Sequence, residues 1–389
     1  MKISKKIINE YLGVELTDQF IADSINFTVG AEVDEITLLP DSQVVVARIE
    51  EVLPHPNADK LQIARVFDSK ETFLVVCGAP NIKAGMIVPL AKIGAKIQDF
   101  EISKTKIRGE DSFGMLCSEK ELGLGEDQTG ILSLDPSYQL GSPLNSYITS
   151  DTIFDLEITP NRGDLLSHYG IARELAAIKN IKLKKEPISL EMSGKPIHDS
   201  LDIELKTPGC PRYFARKFDN IKIAESPSWL KNALNSLGQK PINNVVDITN
   251  YIMLDLGQPL HAFDANKLSG QKIIVRNARN NEIILTLDGT ERTLGSGDIL
   301  ITDQNGPIAL AGVIGGKNSE IDCSTTSVVL ESAEFDPVSI RKTAKSQNII
   351  SEAAYRFERG IDSQNLEYAL NKASYLINQL AGEIGRAHV

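Results

Sequence analysis

The densest group of residues able to do chemistry is Pro241 to Asp264, PINNVVDITNYIMLDLGQPLHAFD. Asn243, Asn244, Asp247, Thr249 and Asn250 fall within eight positions, interleaved with Val245, Val246, Ile248 and Ile252. Such a segment can bury its apolar side chains and turn amides, a hydroxyl and a carboxylate into a cavity. A buried polar group left without a partner costs about 1–3 kcal/mol. The cluster therefore calls for an internal hydrogen-bond network or a polar ligand. Gly257-Gln258-Pro259 then breaks the chain, and His261 follows, an imidazole that titrates near neutrality and both donates and accepts hydrogen bonds. Two readings stand. In one, these side chains line a site. In the other, the Asn and Asp residues cap a helix and make turns, and His261 is a satisfied surface or cap residue.

A second set of candidates lies downstream. PIALAGVIGGKNSEI brings Gly312, Gly315 and Gly316 together, where backbone N–H groups can approach a ligand. VVLESAEFDPVSIRKTA places Glu331 at the end of an apolar strand, just before an expected helix, where a carboxylate also suits the helix dipole. Other motifs fail. VIGGKN is no phosphate loop, because Asn318 follows Lys317 and Ala311 leads. There is no GxGxxG, no HExxH and no GxSxG. YRFERG has an Arg two residues before a Glu, as in a nucleotide-binding strand, but in the wrong surroundings.

The elements that must position these groups read as α+β. Residues 1–38 begin with a helix, Ile3 to Leu12, followed by short strands. Residues 44–134 hold strand candidates VVVARIEEVL, LQIARVF, TFLVVC, GMIVPLA and GILSL, separated by Pro, Gly and Asn. Five strands in so short a stretch suggest an OB-fold barrel. FDLEIT then enters a Pro-Asn-Arg-Gly turn, and a helix is expected from Asp164, a good N-cap. This piece needs residues 1–38 to pack on, so the barrel is inserted into a split domain. The expected division is 1–38 plus 151–190 for the split domain, 39–150 for the barrel, 191–200 as a linker and 201–389 as a mixed α+β domain. Within the last, Asp288-Gly289 signals a hairpin and Leu366, Leu370, Ala373, Ile377 and Leu380 mark an amphipathic helix. GEIGRAHV follows with no closing element, as in a piece of a longer chain.

Length and charge set bounds. The 389 residues exceed one ordinary core. A net charge of −11 with no long basic tract rules out bulk electrostatic grip on a nucleic-acid backbone. Residues 39–150 carry 11 Lys plus Arg against 15 Asp plus Glu, net −4, so any contact there must come from local surface. Cys77, Cys117, Cys210 and Cys323 match no zinc spacing and suit free thiols in a reducing, cytoplasmic compartment. No signal peptide and no membrane-crossing run is expected.

HPNADKL at His55–Leu61, followed by CGAPNI and IRGEDSFGMLCSEKELGLGED, resembles the tRNA-binding OB module of several aminoacyl-tRNA synthetases, with His55, Asn57 and Lys60 as the tRNA-binding candidates. With NVVDITNYIMLDLGQPLHAFD, GVIGG, LESAEFDP and SEAAYRFERGID in one order, the whole chain resembles the N-terminal part of the β subunits of bacterial phenylalanyl-tRNA synthetases. The resemblance implies a B3/B4-type editing domain in the third region. It implies an α2β2 enzyme that charges tRNA with phenylalanine using ATP and Mg2+, with both sites outside these residues. The editing pocket would hydrolyse tyrosine joined to that tRNA. By motif, Thr249, Gly312, Gly315, Glu331, Ser351 and Ala353 would line it, with His261 and Asn250 positioning the water. Ser351 stands where the family commonly has Thr.

The chemistry fits such a division. A phenylalanine pocket rejects an added hydroxyl by only about a hundredfold, whereas a second site can demand it. Glu331, if ionised, would accept the tyrosine O–H in a charge-assisted bond. Two other readings compete: a tRNA-binding and subunit-assembly module without chemistry, and a free-standing deacylase.

Overall fold

In the computed structural model, residues 1–97, 100–124, 127–148, 151–185, 187–190 and 200–388 are described, with backbone only at 228 and 383–388. The expected linker 191–200 therefore lies outside the described residues, save Ser200.

The chain starts with strand Lys2–Ser4 and helix Lys5–Leu12. Ser4 caps the helix by accepting from Ile7 N–H, and Gly13 ends it at φ 65°. Strand Ala31–Leu39 leads out towards the barrel, and strand Asp151–Ile158 returns between Lys2–Ser4 and Ala31–Leu39, antiparallel to both. Asp151 faces Leu39, so the inserted residues leave and re-enter at adjacent points. The helix that follows runs His168–Lys179, and its cap is Ser167, which accepts from Gly170 N–H. Asp164 is not the cap. It lies in a 3-10 turn and takes Arg162 and Arg173 as partners.

The barrel sheet has the order Met115–Leu116, Ile87–Ala91, Val44–Pro54, Gln62–Phe67, Thr72–Cys77. Phe113 N–H donates to Leu74 O and Val76 N–H to Ser112 Oγ, which brings the last strand's lead-in against the far edge and nearly closes an OB-like barrel. Inward side chains such as Ala47, Ile49, Val66, Val75 and Leu90 fill it. GILSL forms no strand. Leu132 N–H and Leu134 N–H instead bond Cys117 O and Ile87 O from an irregular segment.

The third region is built on an antiparallel sheet ordered Leu260–Asp264, Ser327–Glu334, Arg212–Ile221, Gly382–His388. The tail expected to lack a closing element is thus the outer strand. Alternate residues of a strand point to opposite faces. Phe218, Ala262, Val328 and Leu330 pack on helices Asn244–Leu256 and Leu366–Leu380. Phe263, Val329 and Ala333 face a second core beneath a five-stranded sheet that includes Lys272–Asn277, Ile299–Thr302 and Pro307–Leu310.

The first of these cores does not stop at the expected boundary near 190. Ile3, Phe154 and Ile171 share it with Ile248, Leu330 and Leu370. Polar ties cross the same seam. Ser4 N–H donates to His168 Nε2 at 2.8 Å, and His168 Nδ1 bonds Leu254 O at 2.9 Å. Tyr11 Oη and Lys372 Nζ both donate to the buried carboxylate of Asp255, at 2.8 and 2.6 Å. No helix among the described residues is long and apolar enough to cross a membrane, and all four cysteines are free.

Candidate functional site

His261 and Glu331, 70 positions apart in sequence, sit directly opposite each other on neighbouring antiparallel strands. Directly opposed residues hold their Cβ atoms about 4.5–5.5 Å apart on one face. On its other side Glu331 faces Ala215 of the Arg212–Ile221 strand. The three side chains project to the face that carries Phe263 and Ala333. Glu331 lies mid-strand, not at a strand end before a helix. The next helix, Pro337–Ser346, is capped by Asp336, so a dipole role for Glu331 is excluded.

Burial governs the charge of both groups. Glu331 is 5% exposed, and desolvation pushes its carboxyl up to about 8, against a smaller downward pull from the Tyr213 hydroxyl. Tyr213 Oη donates to Glu331 Oε2 at 2.8 Å. Oε1 has no hydrogen-bond partner among the described residues. The carboxyl expected to be ionised is therefore mostly protonated at pH 7. Desolvation pushes the His261 imidazole down to about 4, so the ring is neutral at pH 7. It meets Phe263 edge-on at 4.6 Å, and its nitrogens have no partner among the described residues. A neutral imidazole with a free acceptor nitrogen can hold a water. Being a weak base, it orients that water better than it deprotonates it.

The glycine turn divides by role. Gly315 abuts the site: a Cβ there would lie 2.6 Å from His261 Cε1. Gly312 faces the core, where a Cβ would meet Ile340, Phe335 and Phe357. The turn's amides are largely committed, with Val313 N–H on Leu310 O and Gly316 N–H on Ile308 O. Ser351 caps helix Glu352–Phe357 through Ala354 N–H and donates to Val313 O at 2.8 Å. Its hydroxyl thus staples the turn in place. Ala353 is half-buried against the second core. Arg356, from the weak nucleotide-like motif, is 2% exposed and bonds Leu166 O and Glu352, a staple between segments.

The polar cluster that dominates the sequence is mostly structural. Asn243 caps the helix through Val245 N–H and Val246 N–H. Asn244 Nδ2 donates to Lys222 O and Leu380 O. Asp247 accepts from Ile242 N–H and Ser226 Oγ. Thr249 Oγ1 donates back to Val246 O at 2.7 Å. Asn250 alone is half-buried with no hydrogen-bond partner among the described residues. The apolar side of this helix covers the face of the sheet opposite to His261 and Glu331. Neither Thr249 nor Asn250 hydrogen-bonds to either residue. Sequence reasoning missed Tyr213, because nothing local marks it. Only the register of the two strands brings it to Glu331.

In the barrel, His55 is 6% exposed and both ring nitrogens are used, Nδ1 accepting from Asn57 N–H and Nε2 facing Ile107 O. That network assigns the proton to Nε2. Asn57 Nδ2 donates to Arg108 O. These two residues brace the loop against the 105–112 hairpin, and Lys60 alone is an exposed cation. With the barrel net −4, excising residues 40–150 between the paired positions Leu39 and Asp151 is expected to leave the salt dependence of any nucleic-acid binding nearly unchanged. A clearly flatter plot of log affinity against log salt would show that the barrel carries phosphate contacts.

Comparison with known proteins gives a consistent picture. The B3/4 domain family matches residues 209–382, and the family described as putative tRNA binding domain matches 44–143. Phenylalanine–tRNA ligase β subunits from Syntrophus aciditrophicus and Geobacter metallireducens are 44% and 45% identical over 387 residues, covering 98% of this chain and 48% of each relative. The β subunit from Protochlamydia amoebophila is 44% identical over 392 residues, covering 99% of this chain and 49% of the relative. The chain thus spans about half the length of these curated relatives.

Proposed function

On the premise that this chain belongs to the phenylalanine–tRNA ligase β-subunit family, matching its N-terminal half, we propose that its third region is a hydrolytic site for tyrosine mistakenly esterified to tRNA. The observation that carries the reading is the pairing of Glu331 with His261 on one buried face, each with a hydrogen-bonding atom left unpartnered among the described residues. Glu331 Oε1 reads the phenol hydroxyl. His261 orients a water towards the ester carbonyl, while Asn250 sits on the helix that covers the other face of the sheet and makes no hydrogen bond to His261 or Glu331. Gly315 leaves room for the imidazole, and Ser351 holds the turn that carries Gly315. Ala353 backs the pocket, and Thr249 serves the helix rather than the ligand. Gly312 shapes the core under the same turn.

The complete protein works with an α subunit as an α2β2 synthetase in the cytoplasm, charging tRNA with phenylalanine. The barrel and the editing region contribute tRNA handling. ATP and Mg2+ serve that charging reaction, and the sequence here carries no phosphate-binding loop for the nucleotide. Among the described residues no cluster of three or more His, Cys, Asp or Glu could hold a metal, and the Val313 and Gly316 amides of the glycine turn are bonded within the fold.

His261→Ala tests the reading. In the complete synthetase, without ATP, hydrolysis of pre-formed tyrosyl-tRNA is expected to fall about tenfold, less than the roughly hundredfold or more typical of a group that transfers the proton, because the basicity of His261 is depressed. The thermal transition should move little, because His261 makes no hydrogen bond that the fold would lose. An unchanged deacylation rate would refute the site.

A further inference from the structure

Tyr213 is diagonal to Glu331: it lies two residues from Ala215, which faces Glu331 across the ladder. Ala215 is too short to fill the space between them, so the Tyr213 ring reaches past it and its hydroxyl meets the carboxyl at 2.8 Å. We propose that Tyr213 is the positioning residue of the tyrosine-reading pocket: by holding Oε2 of Glu331 it presents Oε1 to a ligand's phenol and stabilises the charged form that reads it. This rests on the hydrolase reading above.

Among the described residues, Tyr213 is the one that hydrogen-bonds Glu331. The groups facing Glu331 are Tyr213 and Cys210 from the Arg212–Ile221 strand and its lead-in, and His261 from Leu260–Asp264. Burial pushes the Cys210 thiol up to about 12 and the Tyr213 hydroxyl well above its usual value, while His261 is held near 4. None of the three changes charge between pH 7 and 9. The second core, which packs against this face through residues such as Val275, Ile301 and Phe335, is apolar. No cation among the described residues offsets the charge of Glu331. Among the described residues, the hydrogen bond from Tyr213 is thus the contact that favours the carboxylate over the acid.

The test is the ratio of deacylation rates for tyrosyl and phenylalanyl esters of the same tRNA, measured from pH 6.5 to 9.5 in the complete synthetase without ATP. Taking the ratio cancels the hydroxide dependence common to both esters. The wild-type ratio is expected to rise about tenfold between pH 7 and 9, with a midpoint near 8, as Glu331 ionises. In Tyr213→Phe, which keeps the ring, the midpoint should move up by about one pH unit, the worth of one hydrogen bond to a charged group. The ratio at pH 8 should fall about fivefold while phenylalanyl hydrolysis stays level. Glu331→Gln should flatten the profile. A Tyr213→Phe profile that overlays the wild type, with Glu331→Gln flat, overturns the role of Tyr213 and leaves the hydrolase reading standing. A wild type that hydrolyses neither ester, or a Glu331→Gln profile that still rises, overturns both.

Discussion

Glu331→Ala is expected to cut tyrosyl-tRNA hydrolysis by about tenfold at pH 7 and up to about a hundredfold at pH 9. A hydrogen bond between neutral groups contributes about 0.5–1.5 kcal/mol and one to a charged group about 1.5–3 kcal/mol, and each 1.4 kcal/mol is about tenfold in rate. Burial holds the Glu331 carboxyl near 8, so the stronger bond is reached only as the pH rises through that value. Phenylalanyl-tRNA hydrolysis should stay level or rise, because the variant removes a buried carboxyl that phenylalanine leaves unpaired. Charging of tRNA with phenylalanine should not change. An equal fall for both esters would mean that Glu331 supports the fold or the water and not the choice of amino acid.

The same group has a signature in stability. Its folded pKa is raised, so the native state keeps a proton that the unfolded chain loses between about 4.5 and 8. The sign follows: stability falls as pH rises through that window, by a few kcal/mol at most, and Glu331→Gln removes the fall. Denaturant melts at pH 5 and pH 8 measure it. For His261 the folded value is lowered, so stability falls in the opposite direction, as pH drops from about 6.5 towards 4.

Gly312→Ala is expected to destabilise the region by about 2–5 kcal/mol. The residue sits at φ +66°, where a Cβ costs about 1–2 kcal/mol. The new methyl would also lie 2.9 Å from Ile340 Cδ1, 3.0 Å from Phe335 Cδ2 and 3.1 Å from Phe357 Cδ2. Crowding of a packed core adds about 1–3 kcal/mol. Chemical denaturation of the complete β chain reads the loss directly. A variant as stable as wild type but unable to hydrolyse tyrosyl-tRNA would return Gly312 to the pocket wall.

Much of the architecture follows from local pattern. The 3.6-residue spacing of Leu366, Leu370, Ala373 and Ile377 specifies a helix with one buried face, and the folded chain buries those residues. Asp288-Gly289 makes its hairpin, with Gly289 at φ 77°. Backbone geometry and side-chain periodicity act within a few residues, so they can be read without knowing the fold. The order of the motifs from His55 to Asp362 likewise carries the family likeness within the sequence itself. The functions of individual polar residues depend on contacts far along the chain. Asn243, Asn244 and Asp247 look like ligand-binding groups until their partners Val246, Leu380 and Ser226 are seen. His261 meets Glu331, and Tyr213 meets Glu331 from 118 residues away, only because three strands pair in one register. The charge of Glu331 is decided later still. It depends on how much water the second core excludes, and desolvation is a property of the packed volume, which the sequence around a residue does not contain.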